Sequence, residues 1–365
     1  MSNSQSKPTE TETMKAIQVH QFIDNFQVLQ SEKANEFMSM NDQLPKPEKL
    51  QKNQMLIKVL ACSISPGDII MVQGNLIFLH EAFPFVPGMD VCGVVVDRNN
   101  STRFENGDIV VAANGMTPVG GMAEYMAIDE QEAVLKPKEV TDEAGASNSS
   151  AITARNAVMD HVKKGDRVLV LGGSGGVGSA AIQIAKKHAQ ASFVATTSTQ
   201  ADFCRELGAD RVIHYRTENW WEIPDFQTDK FDVIIDTVGG GNFYGRAEKV
   251  LKPGRDGGVF VAVTGDVPKP DCRTVWKAIK FFAKMPWRPL YTRMKSRTLP
   301  KYVMLMPYDV PQGRKQVLDW MQEGTLEIPI DGSPFPFTAE GVREAFTKVA
   351  SGHAHGKVVV SMTEK

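Results

Sequence analysis

The stretch LGGSGGVGS, residues 171–179, has a glycine at nearly every second position. The segment before it, DRVLVLGG (166–173), is a short apolar run, typical of a strand that is buried on both faces. The segment behind it has the apolar period of one helix face, with residues at i, i+3, i+4, i+7 and i+8. These residues are Val177, Ala180, Ala181, Ile184 and Ala185. The stretch therefore predicts a strand, a tight turn and a helix.

The glycines of this turn have the spacing G-x-G-x-x-G at Gly173, Gly175 and Gly178. That spacing alone is common, but here it lies between a predicted strand and a predicted helix. Glycines in this context permit a tight turn and let the backbone approach a pyrophosphate. The helix N-terminus adds unpaired N–H groups and a partial positive charge. The turn is thus predicted to bind a dinucleotide.

The second strand, about 20 residues on, favours NADPH over NADH. NAD enzymes usually have an acidic residue at its end, whereas this chain has Thr197 and Ser198. Hydroxyls can donate to a 2′-phosphate that a carboxylate would repel. Tyr215 and Arg216, after the third strand, add a donor and a charge. The alternative is that Thr197 and Ser198 only end a strand and that Arg216 is a solvated turn residue.

Strands and helices alternate through the middle of the chain, which indicates βαβ units and a parallel sheet. The predicted segments after the glycine turn are 192–197, 201–209, 211–215, 231–239 and 257–265. Residues 14–150 are instead strand-like and rich in turns, and the C-terminus predicts two helices, 313–324 and 338–352, and a strand, 357–362. We predict an α/β protein with a tail at 1–13, a β-rich domain at 14–150 plus 307–365, and a dinucleotide-binding domain at 151–306.

Composition narrows the class of protein. A chain of 365 residues favours two domains, and its net charge of −2 gives no overall attraction to nucleic acid. Its four cysteines never approach CxxC spacing, which argues against a disulfide framework and a four-cysteine zinc site. The polar N-terminus has neither a signal peptide's apolar region nor an Arg-rich presequence, and no apolar run reaches about 18 residues. We expect a cytoplasmic protein with a disordered N-terminal tail.

Several segments together resemble the medium-chain dehydrogenase/reductase superfamily over roughly residues 14–362. They include SISPGDIIMVQG, FPFVPGMDVCGVVV, GGMAEYMAI, LGGSGGVGSAAIQIAK, LGADRVIHY and GHAHGKVVV. The chain is most similar to the zinc-independent quinone oxidoreductases, in the branch with reticulon-interacting and enone oxidoreductases. The resemblance implies a GroES-like β-rich catalytic domain, a Rossmann domain, a nicotinamide cleft between them, and a homodimer.

The resemblance also implies contacts with the cofactor. The implied residues, in chain order, are Ser174, Gly175, Gly176, Val177, Ser198, Tyr215, Val238, Gly239, Thr264, His355 and Lys357. The first four are implied for the pyrophosphate and the next two for the 2′-phosphate. The following three are expected near the ribose and nicotinamide, and the last two lie close to the cofactor.

The zinc-dependent relatives use a Cys/His site to polarise an oxygen. The matching positions here are Ser65 and Met89, with the third near Ser150, so we predict no metal. Without a Lewis acid, hydride transfer to an electron-poor quinone or enone is the reaction that needs least assistance. Positioning supplies much of the rate, and solvent can deliver the proton.

The catalytic acid is not evident from the sequence. The positions where related reductases have a tyrosine are Ile70, Asn75 and Leu76. Ser65 and Thr153 are candidate polar groups near the nicotinamide, although a strand-end serine and a helix-start threonine are equally ordinary. We predict an NADPH-dependent reductase of quinones or enones. The alternatives are an enoyl-thioester reductase and a non-catalytic NADPH-binding sensor or partner protein.

Two further features suggest hypotheses. Cys62 is a candidate reactive thiol if it faces the cleft. Residues 273–301 contain nine Lys or Arg, with no acidic residue between Asp271 and Asp309. This basic amphipathic segment could lie on an anionic membrane, and the alternatives are a cover over the cleft or a dimer surface.

Overall fold

The computed structural model describes residues 12–75, 83–113, 120–254, 257–265, 267, 270–295, 297–305 and 311–363. The strands are β1 (Thr13–Val19), β2 (Met38–Pro45), β3 (Gln54–Ile64), β4 (Asp90–Asp97), β5 (Ile109–Ala113), β6 (Tyr125–Asp129), β7 (Ala133–Leu135), β8 (Arg167–Leu171), β9 (Phe193–Thr197), β10 (Arg211–Ile213), β11 (Val233–Asp236), β12 (Val259–Ala262), β13 (Lys301–Met304), β14 (Phe335–Pro336) and β15 (Val358–Ser361). The α-helices are α1 (Ala34–Phe37), α2 (Pro66–Val72), α3 (Asp142–Ala146), α4 (Asn148–Met159), α5 (Gly176–Gln183), α6 (Ala201–Glu206), α7 (Pro224–Thr228), α8 (Phe243–Ala247), α9 (Val275–Lys284), α10 (Trp287–Met294), α11 (Pro311–Gln322) and α12 (Ala339–Ala350).

The first half and the C-terminus form a β-rich domain. Its main sheet has the order β14-β15-β3-β4-β5-β7, and β6 pairs with β3. β1 and β2 form a separate antiparallel ribbon. The core of this domain joins Ile57 and Val91 of the main sheet to Val342 and Phe346 of α12. The C-terminal segment thus completes the domain, because α12 covers apolar strand residues that would otherwise face water.

The middle of the chain forms a parallel sheet with the order β10-β9-β8-β11-β12-β13. Counted from β8, this is the strand order 3-2-1-4-5-6 of the Rossmann fold. Four consecutive residues of β8, Val168 to Leu171, are buried, as expected of a strand covered by helices on both faces. The predicted Rossmann domain is confirmed. β13 was not predicted from the sequence, although KYVM has the apolar character of a short edge strand.

Two features differ from the predicted organisation. Thr13 begins β1 and pairs with Pro45, so order starts within the predicted tail; residues 1–11 lie outside the described residues. α11, predicted to belong to the β-rich domain, contacts both domains: Val317 and Trp320 join the core that contains Val170, whereas Leu318 packs with Ala61 and Cys92. The reason is that this face of the parallel sheet needs apolar cover. The domain boundaries themselves stay predictions.

The described part of the chain contains no helix with both the length and the apolar character of a membrane span. The four cysteines are free and buried.

Candidate active site

The glycine turn joins β8 to α5, as predicted. A Cβ on Gly173 would lie 2.0 Å from Thr196 Oγ1, and a Cβ on Gly178 would lie 2.1 Å from the Gly172 carbonyl oxygen. Both contacts are far shorter than van der Waals distance. Glycine is therefore required at these positions by the close packing of helix against strand.

The N-terminus of α5 fits an anionic ligand. Gly175 is the N-cap, so no side chain is available for the amides of the first turn, which have no partners within the helix. A Cβ on Gly175 would meet only the Gly172 carbonyl oxygen, at 3.6 Å, so packing does not demand glycine there. The space beside Gly175 can accept a pyrophosphate. The four predicted contacts, Ser174 to Val177, surround this space at the start of the helix.

The predicted 2′-phosphate residues follow the next two strands, β9 and β10. Thr197 Oγ1 accepts a hydrogen bond from the Gly172 amide at 2.9 Å, and Ser198 Oγ accepts one from the Gln200 amide at 2.9 Å. Both residues are buried, so they shape the turn as well as bordering the site. Tyr215 is half exposed, and the Arg216 guanidinium lies 5.9 Å from its ring centroid.

The residues predicted near the nicotinamide follow β11 and β12. Asp236 Oδ1 accepts hydrogen bonds from the amides of Val238 and Gly239, at 3.0 and 2.9 Å, which fixes this turn. A Cβ on Gly239 would lie 2.6 Å from Thr264 Cγ2, so the two turns touch. Val238 is 47% exposed at the surface of the site. Because carboxyl ends of parallel strands share one sheet edge, these residues lie on the same edge as the glycine turn.

The C-terminal segment meets the glycine turn directly. The Gly356 amide donates to the Ser174 carbonyl at 2.8 Å. Lys357 is buried, and its Cδ would be 2.8 Å from a Cβ on Gly176. Its ammonium donates to the Ile64 carbonyl at 3.4 Å, so it connects β3 with the start of α5. His355 is exposed beside this contact. The structure therefore brings the C-terminal residues to the cofactor edge.

The two candidate catalytic hydroxyls have local partners. Ser65 is the N-cap of α2, and its Oγ donates to Asp68 Oδ2 at 2.8 Å. Thr153 Oγ1 donates to the Ser149 carbonyl one turn earlier in α4, at 2.8 Å. Each hydroxyl retains lone pairs for a ligand. A catalytic role for Ser65 or Thr153 stays a prediction.

Two buried carboxylates near Lys357 were not predicted from the sequence. Asp68 is buried and accepts two hydrogen bonds from Ser65. Burial, reinforced by the charge of Asp90, raises the pKa of Asp68 to about 6. Burial also raises the pKa of Asp90, against the opposing effects of Lys357 and a hydrogen bond from Ser149. The available signal was an aspartate at the start of each apolar run, PGDIIMV and GMDVCGVVV.

We expect Asp68→Asn to stabilise the protein at high pH. The folded protein retains the Asp68 proton between pH 3.8 and about 6, where the unfolded chain releases it. Ionisation therefore lowers the free energy of unfolding as pH rises through this window, by about 3 kcal/mol in total. Urea denaturation at about pH 8 and about pH 5 should show the gain only at the higher pH.

The control for this prediction is Asp42→Asn, since Asp42 is exposed in β2. It should change the unfolding free energy little at either pH. An equal effect of Asp68→Asn at both pH values would contradict a raised pKa in the folded state.

The Cys62 hypothesis is wrong. Its side chain is fully buried in the core of the β-rich domain, and burial raises the pKa of its thiol well above the usual range. A Cβ on Gly88 or Gly121 would lie 2.7 or 3.1 Å from Cys62 Sγ, so the two segments that carry these glycines cover the sulfur. A thiol that is both covered and protonated is not a reactive nucleophile.

Comparison with known proteins identifies the family. One family model, described as an alcohol dehydrogenase GroES-like domain, matches residues 51–138, and another, described as a zinc-binding dehydrogenase, matches residues 207–360. The chain is 33% identical over 322 residues to 2-methylene-furan-3-one reductase of Solanum lycopersicum, covering 85% of this chain and 72% of that protein. The chain belongs to the medium-chain dehydrogenase/reductase superfamily.

Two further similarities support this assignment. The NADPH-dependent alkenal/one oxidoreductase of Arabidopsis thaliana is 32% identical over 323 residues, covering 85% of this chain and 72% of that protein. The structure of the quinone oxidoreductase from Coxiella burnetii matches with a TM-score of 0.75 and 26% identity, covering 96% of this chain and all of that one. The predicted fold is confirmed, and the chain is an oxidoreductase of an NAD(P)H-dependent family.

The zinc named in one family description does not fit the residues present. A Cβ on Gly67 would lie 2.7 Å from Met89 Cε and 3.3 Å from Ser65 Oγ, so these two ligand positions are neighbours. A thioether and a hydroxyl are not the Cys, His or carboxylate ligands of catalytic zinc, and Ser150 is no better. Within the described ranges, no group of three or more His, Cys, Asp or Glu could hold a metal ion.

Proposed function

We propose that this protein is an NADPH-dependent, zinc-independent reductase of quinones or α,β-unsaturated carbonyls. One observation carries the proposal. At the cofactor edge, the segment that carries the buried Lys357 meets the glycine turn, beside the zinc-ligand positions of the zinc-dependent relatives, which here hold Ser65 and Met89. The printed names of relatives support the acceptor class, since they describe a furanone reductase, an alkenal/one oxidoreductase and a quinone oxidoreductase.

Different residues of the site have different roles in such a reaction. NADPH, when bound, supplies the hydride. The α5 amides hold its pyrophosphate, and the Gly239 and Thr264 turns border the nicotinamide. A conjugated acceptor is already electron-poor, so holding it against the nicotinamide supplies several kcal/mol through proximity. Ser65 and Asp68 lie at the adjoining edge of the catalytic domain, and solvent delivers the proton.

NADPH is proposed over NADH because β9 ends in hydroxyls. Thr197 and Ser198 stand where an acidic residue would repel a 2′-phosphate. The half-exposed Tyr215 and the neighbouring Arg216 offer a hydroxyl and a permanent charge at the next strand end. Arg is well suited to phosphate, since its guanidinium can donate two parallel hydrogen bonds.

We further propose a homodimer and a cytoplasmic location. β13 is at the end of the parallel sheet and pairs with β12 on one side, so its other edge is available among the described residues. An unpaired edge strand is a ready site for pairing with a second chain. Sedimentation velocity tests the assembly state, and imaging of the tagged full chain tests the location.

NADPH oxidation with a small quinone and, separately, a short-chain enone tests the main proposal. We expect chelator-resistant turnover that prefers NADPH to NADH by at least about tenfold, which is about 1.4 kcal/mol. Turnover confined to enoyl-thioesters would favour the enoyl-thioester reductase. Tight NADPH binding without turnover of any acceptor would favour the sensor, and loss of turnover with chelator would contradict the metal-free mechanism.

A further inference from the structure

Helices α9 and α10 form an exposed amphipathic pair, which we name the basic strap (residues 273–295). No residue of α9 is buried, and Thr292 is the buried residue of α10. Large apolar side chains of both helices face solvent. They include Val275, Trp276, Ile279, Phe282, Trp287 and Leu290, with exposures between 45% and 80%. Contiguous exposed apolar surface of this kind marks an interaction site.

The charge of the basic strap is uniformly positive. Residues 273–295 contain seven Lys or Arg, and no acidic residue occurs between Asp271 and Asp309. At 100° per residue, Lys277, Lys280 and Lys284 form one side of α9, roughly opposite the side that carries Ile279 and Phe282. A partner must therefore offer both apolar area and negative charge.

The basic strap is anchored to the rest of the protein at its start and at the start of α10. At its start, the Cys272 amide donates to the Asn75 carbonyl at 2.8 Å, and Arg273 Nε donates to Asn75 Oδ1 at 3.0 Å. At the start of α10, the Arg288 guanidinium lies 5.2 Å from the Tyr244 ring centroid and 5.7 Å from that of Tyr302. The apolar surface is thus presented outward on an anchored element.

We infer that the basic strap binds the surface of an anionic lipid bilayer. A lipid interface supplies apolar area beside negative headgroups, and tryptophans such as Trp276 and Trp287 favour that boundary. A two-fold contact of this face with a second copy is disfavoured, because it would bring like-charged lysines such as Lys280 and Lys284 of the two copies together.

The placement of the basic strap adds a consequence that rests on the proposed function. Asn75, which anchors the strap, closely follows α2, whose N-cap is Ser65 at the candidate active site. Docking through the strap therefore holds the catalytic domain against the bilayer. A lipid-dissolved quinone or enone is then the substrate class that this site receives.

Cosedimentation of the full chain with vesicles tests the inference. We expect binding to phosphatidylcholine vesicles that contain phosphatidylserine, at low salt, and none to phosphatidylcholine alone. Lys280→Glu/Lys284→Glu should lower the partition coefficient by about tenfold or more. Trp276→Ser/Ile279→Ser should also lower it. The matched control is Lys163→Glu/Lys164→Glu, which makes the same charge change at an exposed turn and should bind nearly as wild type.

Turnover and assembly measurements separate the possible outcomes. All four proteins should reduce a water-soluble quinone equally, whereas the strap variants alone should lose reduction of a long-chain quinone in anionic vesicles. Absence of wild-type binding, or equal loss in the Lys163/Lys164 control, would overturn the inference. Loss of soluble-quinone turnover in the strap variants would indicate a cleft cover instead, and dissociation of a dimer would indicate a subunit interface. Vesicle binding without turnover of any acceptor would leave bilayer docking standing and remove the proposed function.

Discussion

Gly175→Asp will weaken NADPH binding by about a hundredfold, or about 2.7 kcal/mol, while leaving the fold intact. The backbone of Gly175, at φ −80° and ψ 170°, is open to any residue, and a Cβ there has only a 3.6 Å contact. Aspartate is also a favourable N-cap, since its carboxylate can accept from the first-turn amides of α5. The same carboxylate would occupy the pyrophosphate position and repel it.

Isothermal titration calorimetry with NADPH measures this loss, and urea denaturation without the cofactor measures the fold. Gly175→Ala adds the Cβ without the charge and should weaken binding much less. Gly178→Ala should instead lower the free energy of unfolding, because its Cβ would lie 2.1 Å from the Gly172 carbonyl oxygen. Its effect on stability should exceed its effect on NADPH binding. Undiminished NADPH affinity in Gly175→Asp would place the pyrophosphate elsewhere.

The parts of the fold that depend on neighbouring residues could be predicted from the sequence. The glycine turn, its helix and the alternating strands depend on spacing within a few residues. Thr338 illustrates this at the start of α12, because threonine is a favourable N-cap residue and the Gly341 amide donates to Thr338 Oγ1 at 3.1 Å. Local chemistry specifies such features before any tertiary packing exists.

The parts that depend on distant residues could not be predicted. Cys62 lies in β3, where every odd position and half of the even positions are buried, so alternation does not say which face meets the cleft. Covering of its sulfur comes from Gly88 and Gly121, on other segments. The cluster of Asp68, Asp90 and Lys357 likewise joins three separate segments. None of these residues is unusual in the sequence. The cluster becomes unusual only because the fold buries all three charges.

Lys357→Met will destabilise the folded protein by about 3 kcal/mol at about pH 8. Lys357 is buried, and its positive charge opposes the rise in the pKa of Asp68 and of Asp90 that burial causes. Methionine fills a similar volume but leaves two buried carboxylates without that compensation. The folded-state pKa of both groups must then rise further, whereas their pKa in the unfolded chain is unchanged.

The sign of the pH dependence follows from this rise. The loss is fully present above the folded-state pKa values and shrinks as pH falls and the carboxylates take up protons. Urea denaturation of Lys357→Met should therefore show a smaller deficit at about pH 5 than at about pH 8. Lys357→Met/Asp90→Asn should recover part of the deficit at the higher pH, because one uncompensated charge is removed while the amide oxygen can still accept from Ser149. A deficit that is equal at both pH values and unchanged in the double variant would mean that Lys357 contributes packing alone, and that the charge cluster between the domains does not stabilise the site.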